Sequence, residues 1–138
     1  MKHTIQQRDI DFMNAIRTAL DDWDDNRLPS IGAIIRRATA GPAPRFYTDF
    51  KPAYNTITRM HLTGLPRCIN SNKQQMWIDL ATLVFDYMNT HHGCTIAYAL
   101  AHVLENQPAP SFYLSVTTAR AIYYRFVRQQ ADQNKEIA

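Results

Sequence analysis

From Gln6 to about Asp25 the residues Ile10, Met13, Ile16, Leu20 and Trp23 recur every three or four positions, with Phe12 and Ala19 widening the stripe. That period keeps apolar side chains on one side of a helix and predicts an amphipathic helix of about five turns. Its end gathers Asp21, Asp22, Asp24 and Asp25, negative charge where the helix dipole disfavours it, so either that charge is used elsewhere or the helix stops early. After Arg27-Leu28-Pro29, Ser30 is placed to cap a short helix with Ile31, Ile34, Ile35 and Ala38 on one side, ended by Gly41-Pro42. Asp49 is a cap for a third helix, Phe50 to about Leu62, in which Pro52 is tolerated because it falls in the first turn. Ala53, Ile57 and Met60 form its inner stripe.

The same order returns further along. Lys73 to Thr90 is apolar nearly all round, through Met76, Trp77, Leu80, Leu83, Val84, Phe85, Tyr87 and Met88. Coverage of that kind predicts a helix buried on several sides, at the centre of one body. Thr95 caps the next helix, with Ile96, Ala99, Leu100, Val103 and Leu104 inward. Ser115 caps the last, with Ala119, Ile122, Tyr123, Phe126 and Val127 inward; from Gln129 to Ala138 the chain is polar and predicted to fray.

Between the second and third helices stands Pro42-Ala43-Pro44-Arg45-Phe46-Tyr47, and between the fifth and sixth Pro108-Ala109-Pro110-Ser111-Phe112-Tyr113. At the same spacing Ala53 falls on Ala119, Arg59 on Arg125, Met60 on Phe126 and the cap Asp49 on the cap Ser115. A repeat of this length is the mark of duplication. The expected fold is therefore all-α: two three-helix units, about residues 6–65 and 73–130, joined by a linker at about 66–72 and packed as one six-helix domain with an internal pseudo-twofold. Prolines hold the repeated strips extended. Their aromatics Phe46, Tyr47, Phe112 and Tyr113 are expected as core plugs, the sharper alternative being a peptide- or base-stacking platform.

Composition narrows the class. With 46% hydrophobic and 20% charged residues in 138, the chain is long enough to bury a core. The first residues lack an apolar h-region and no run approaches the roughly 20 apolar residues of a membrane span. A soluble, cytoplasmic protein is expected, with no membrane association. Cys68 and Cys94 form no C-x-x-C pair and are expected as free thiols. His91, His92 and Cys94 lie close together, but with Cys68 they match no familiar zinc spacing, and imidazoles suit the negative end of a helix. No metal or other cofactor is expected. Four glycines make no phosphate loop or dinucleotide fingerprint, and no nucleophile–base pattern stands out, so the chain is expected not to be an enzyme.

Charge is arranged unevenly within a net of +3. Residues 1–26 carry three basic and six acidic side chains; residues 27–67 carry seven basic and Asp49 alone; between Glu105 and Asp132 the only charges are Arg120, Arg125 and Arg128. Such segregation suits a polyanionic partner. A short capped helix, a connection and a third helix with small and basic residues on its free face resemble the tri-helical core of helix-turn-helix DNA-binding domains, from about Ser30 to Leu62 and Thr95 to Gln129. The resemblance implies double-stranded DNA as the ligand, as in a small transcriptional regulator or an accessory factor of a mobile element. Under it Lys51, Tyr54, Asn55, Thr58 and Arg59, then Thr117, Thr118, Arg120, Tyr124 and Arg125, face the groove. Arg36, Arg37, Arg45 and Arg128 add positive charge. Asn and Arg suit base edges, while Lys, Thr and Tyr more often hold phosphates. Arg59 and Arg125 equally suit helix-end carbonyls or the acidic first helix. Two reading helices in one chain suggest a monomer or weak dimer on two neighbouring half-sites. The family's turn is three or four residues, whereas here the connection runs from about Gly41 to Thr48. The competing reading is a helical adaptor with a protein partner, using the aromatic strips or the acidic helix.

Overall fold

The computed structural model describes residues 2–24, 28–64, 66 and 70–137. Its described residues form six helices and no strand: α1 (Lys2–Asp21), α2 (Ile31–Ala40), α3 (Phe50–Thr63), α4 (Ser71–Thr90), α5 (Ile96–Asn106) and α6 (Val116–Ile137). Capping sets several starts, because the first amides of a helix lack intrahelical acceptors. Ser30 Oγ accepts from the Ala33 amide at 3.1 Å, Thr95 Oγ1 from Tyr98 at 3.1 Å and Ser115 Oγ from Thr118 at 3.1 Å. Asn70 Oδ1 accepts from the amides of Asn72 and Lys73, which starts α4 two residues before Lys73.

The leading helix departs from expectation at both ends. It begins at Lys2 and stops at Asp21, so of the acidic cluster only Asp21 sits in its last turn; Asp22 and Asp24 lie beyond it, and Asp25 lies outside the described residues. Its buried face differs too. Phe12, Ile16 and Ala19 are in the core with Asp9 and Asp11, while Ile10 is 46% and Leu20 51% exposed. Carboxylates displace apolar side chains here because each finds hydrogen-bonding partners inside. At the other end of the chain, α6 continues to Ile137 rather than ending near Gln129, and Val127 is exposed.

Helix partnership is the larger surprise. α1, α2 and α6 pack together, and α3, α4 and α5 pack together; among the described residues α3 makes no helix contact with α2, nor α6 with α5. Each third helix thus lies on the two helices of the other half. The nine-residue connection after α2 is too long for a helix-turn-helix turn because it carries the chain across the molecule. At the centre, where the wide apolar coverage of α4 had suggested that helix would sit, the two connections meet. Ala43 and Ala109 exchange backbone hydrogen bonds of 2.9 and 3.0 Å in an antiparallel bridge. Phe46 stacks on Tyr113 with ring centroids 6.3 Å apart, Tyr47 on Phe112 at 6.0 Å, and Phe12 meets Phe112 edge-on at 5.3 Å. Phe46 and Phe112 are buried, and a single hydrophobic core runs through both helix groups and the strips.

Candidate nucleic-acid interface

Helical period places the basic side chains of α3 and α6 outward. Lys51, Asn55 and Arg59 follow one another at four-residue steps along α3, all exposed. On α6, Thr117, Arg120, Tyr124 and Arg128 form a comparable exposed row. Among the described residues the cations of these two rows make no ion pair. Tyr54 is exposed and stacked on Phe50 at 5.8 Å, and Tyr124 meets Tyr123 edge-on at 5.3 Å.

Other expected members are turned to structural use. Thr58 is half-buried and its Oγ1 is sealed from solvent, so it does not belong to the outer face. Thr118 is tied into the α6 cap, its hydroxyl accepting from Ser115 Oγ at 3.0 Å. Arg37 lies over the Trp23 ring at 4.2 Å, a cation–π contact, while Arg36 is exposed on the same helix. Arg45 pairs with Asp11 at 3.5 Å. Arg125 Nη2 donates to Asp9 Oδ2 at 3.0 Å, so the two arginines that repeat in sequence have different surroundings.

Pairing of Arg125 with the acidic first helix was among the expected alternatives, whereas the carboxylates that hold the strip tyrosines escaped the sequence reading. Asp11 accepts from Tyr47 Oη at 2.6 Å and from Gln7 Nε2 at 2.8 Å. Asp79 accepts from Tyr113 Oη at 2.6 Å and from Gln75 Nε2 at 2.9 Å. Burial, and then the carboxylate at the end of the hydrogen bond, push both phenols far above the ordinary tyrosine range. A signal was present: Gln6-Gln7-Arg8-Asp9-Ile10-Asp11-Phe12 and Gln74-Gln75-Met76-Trp77-Ile78-Asp79-Leu80 share both glutamines, the isoleucine and the aspartate.

The first turns of α3 and α6 border one cleft of about 430 Å³, whose lining includes Asp49, Pro52, Ser115 and Thr118. Near the end of α4, Tyr87 is stacked between His91 at 3.9 Å and His102 at 4.4 Å. No three His, Cys, Asp or Glu side chains come together among the described residues; Cys94 is a half-buried free thiol and Cys68 lies outside them. No helix of the described residues is long and apolar enough to cross a membrane. No protein-family model, curated protein or solved structure matches this chain.

Proposed function

We propose that the protein binds double-stranded DNA without catalysing a reaction, and that it arose by duplication of a tri-helical module whose third helices were exchanged between the copies. The observation that carries the DNA reading is the pair of exposed rows on α3 and α6, whose cations Lys51, Arg59, Arg120 and Arg128 have no protein partner among the described residues. Cations left unpaired suit phosphates, which dominate affinity for duplex DNA. Duplication is supported by the repeated strips, the repeated Gln-Gln-x-x-Ile-Asp segments and the parallel Tyr47–Asp11 and Tyr113–Asp79 bonds.

The geometry favours one stretch of groove over two half-sites. Half-sites read by recognition helices lie about 34 Å apart, whereas the first turns of α3 and α6 share a cleft of about 430 Å³. The helices would therefore straddle one groove segment and its flanking phosphates. A second reading, a protein adaptor, is favoured by Phe50 stacked on Tyr54 and by Leu62, 79% exposed on the same helix.

Fluorescence anisotropy with a random duplex separates the two. Four phosphate contacts give a salt slope of about −3.6, hence about 100-fold weaker binding at 200 mM than at 50 mM salt. The Arg59→Ala/Arg120→Ala variant is expected to lower that slope by about 2, at unchanged helicity. No retention of duplex at either salt rejects DNA and favours the adaptor.

A further inference from the structure

We infer that the cleft between the first turns of α3, α4 and α6 is a binding site for a small flat monoanion of the aromatic carboxylate class. Its volume of about 430 Å³ falls within the range of small-molecule sites, roughly 300–1,000 Å³. One wall is apolar and aromatic: Met76, Trp77, Phe112, Tyr113 and Leu114 line it, with Trp77 and Phe112 almost wholly buried. Such a surface accepts a planar apolar body by stacking and exclusion of water. The rim carries Arg8 and Lys73.

Charge selects the ligand's sign. Among the described residues that line the cleft, Arg8 and Lys73 are the cations and Asp49 the anion, one positive charge in excess. Arg8 commits Nε and Nη2 to Asp9 Oδ1 at 3.1 and 3.0 Å, whereas the Lys73 ammonium has no ion pair among the described residues. Of the backbone amides around the cleft, those of Asn72 and Lys73 are taken by Asn70 and that of Thr118 by Ser115. Lys73 is therefore the principal contact of the carboxylate.

Tyr113 gives a separate reason to regard this cleft as built for occupancy. It is the one described residue other than glycine with positive φ, at 55°, a conformation that a bulky side chain rarely adopts. The strain is held by its amide on Ser111 Oγ at 2.9 Å and its hydroxyl on Asp79 at 2.6 Å. Tyr47, at the matching place in the other strip, has no such backbone. The unusual conformation is thus confined to the strip whose Phe, Tyr and Leu all line the cleft.

The test uses the full chain, ¹⁵N-labelled, with 2-naphthoate and its uncharged counterpart 2-naphthalenemethanol as probes. The indole N–H signal of Trp77 reports the cleft, and that of Trp23, which stacks on Arg37 elsewhere, is the internal control. Naphthoate is expected to move the Trp77 signal saturably with a Kd below about 1 mM, leaving Trp23 in place. Lys73→Met is expected to weaken binding about tenfold, and Thr118→Trp, which fills the mouth, to abolish it. Lys73 is exposed, so its variant keeps the test informative if Thr118→Trp fails to fold. A Trp77 signal unmoved at several millimolar overturns the site. Equal binding of the uncharged probe, or full affinity in Lys73→Met, overturns the anion assignment.

Discussion

In the group formed by α1, α2 and α6, Asp9 turns inward and holds Arg125 and Arg8; at the matching place in α4, two residues before Asp79, stands Trp77. Arg8 is likewise matched by Met76. One group is therefore fastened by a charged cluster at its third helix, the other by apolar bulk. The difference reaches the surface. Arg125 is held to its own protein while Arg59, its counterpart in sequence, is left exposed on α3. The two third helices thus differ in the cations they offer a partner, because Asp9 holds Arg125 on α6 while Arg59 on α3 has no ion pair among the described residues.

The comparison breaks first at the core. Phe12 and Leu80 occupy matching positions in α1 and α4, and both are fully buried. Phe12→Ala is expected to cost about 3–5 kcal/mol and Leu80→Ala about 2–5 kcal/mol, from lost burial and the cavity left behind. Since one core runs through both groups, each variant should lower the midpoint of a single cooperative transition followed by urea titration. Two separated transitions, each moved by one variant only, would instead mean that the groups fold as independent bodies.

The tyrosine–aspartate bonds are what the groups share, and pH tests them. Both phenols have folded pKa values raised by burial and by their carboxylate partners, against about 10 in the unfolded chain. Their contribution is fully present below pH 10. Above it the unfolded state releases protons that the folded state keeps, so stability falls as pH rises. Urea midpoints at pH 9, 10 and 11 should fall steeply for the native protein and more gently for the Tyr47→Phe/Tyr113→Phe variant. At pH 8 each single change is expected to cost about 1.5–3 kcal/mol, as for a hydrogen bond to a charged group. Tyr47→Phe should cost the less, because Asp11 retains Arg45 as well as Gln7, whereas Asp79 retains Gln75.

Legibility in the sequence followed the range of the interaction. Ser30, Thr95 and Ser115 were readable as caps because a cap acts within three residues, whereas Asp49, read the same way, holds the N-cap position of α3 without a side-chain cap hydrogen bond. The buried face of α1 was misread because Asp9 and Asp11 are satisfied by Arg125 and Tyr47, 116 and 36 positions away, and no local period reports such partners. The packing of α3 on α4 and α5 was hidden for a similar reason: Ala53, Ile57 and Met60 show that α3 has an inner stripe, not which helices cover it. The length from Gly41 to Thr48 was the one trace of it. The exposed rows on α3 and α6 could be read from helical period, whereas the cleft, lined by four helices and both strips, could not.

The smallest expected effect is also the one that bears most directly on the difference between the two third helices. Arg125 is 54% exposed, so its pair with Asp9 is screened, and Arg125→Met is expected to cost no more than about 1 kcal/mol. Arg59→Met, which removes no ion pair, should stay within about 0.5 kcal/mol. Raising salt brings them together, since screening weakens the Arg125 pair and leaves nothing to weaken at Arg59. In duplex binding the order reverses: Arg59 is free to meet a phosphate, whereas Arg125 must first leave Asp9, a side chain buried against it. Arg59→Met should therefore weaken duplex binding more than Arg125→Met, although it disturbs the fold less. If anisotropy gives the opposite order, the carboxylate beneath α6 orients Arg125 toward the DNA instead of withholding it, and the difference between the groups is one of positioning.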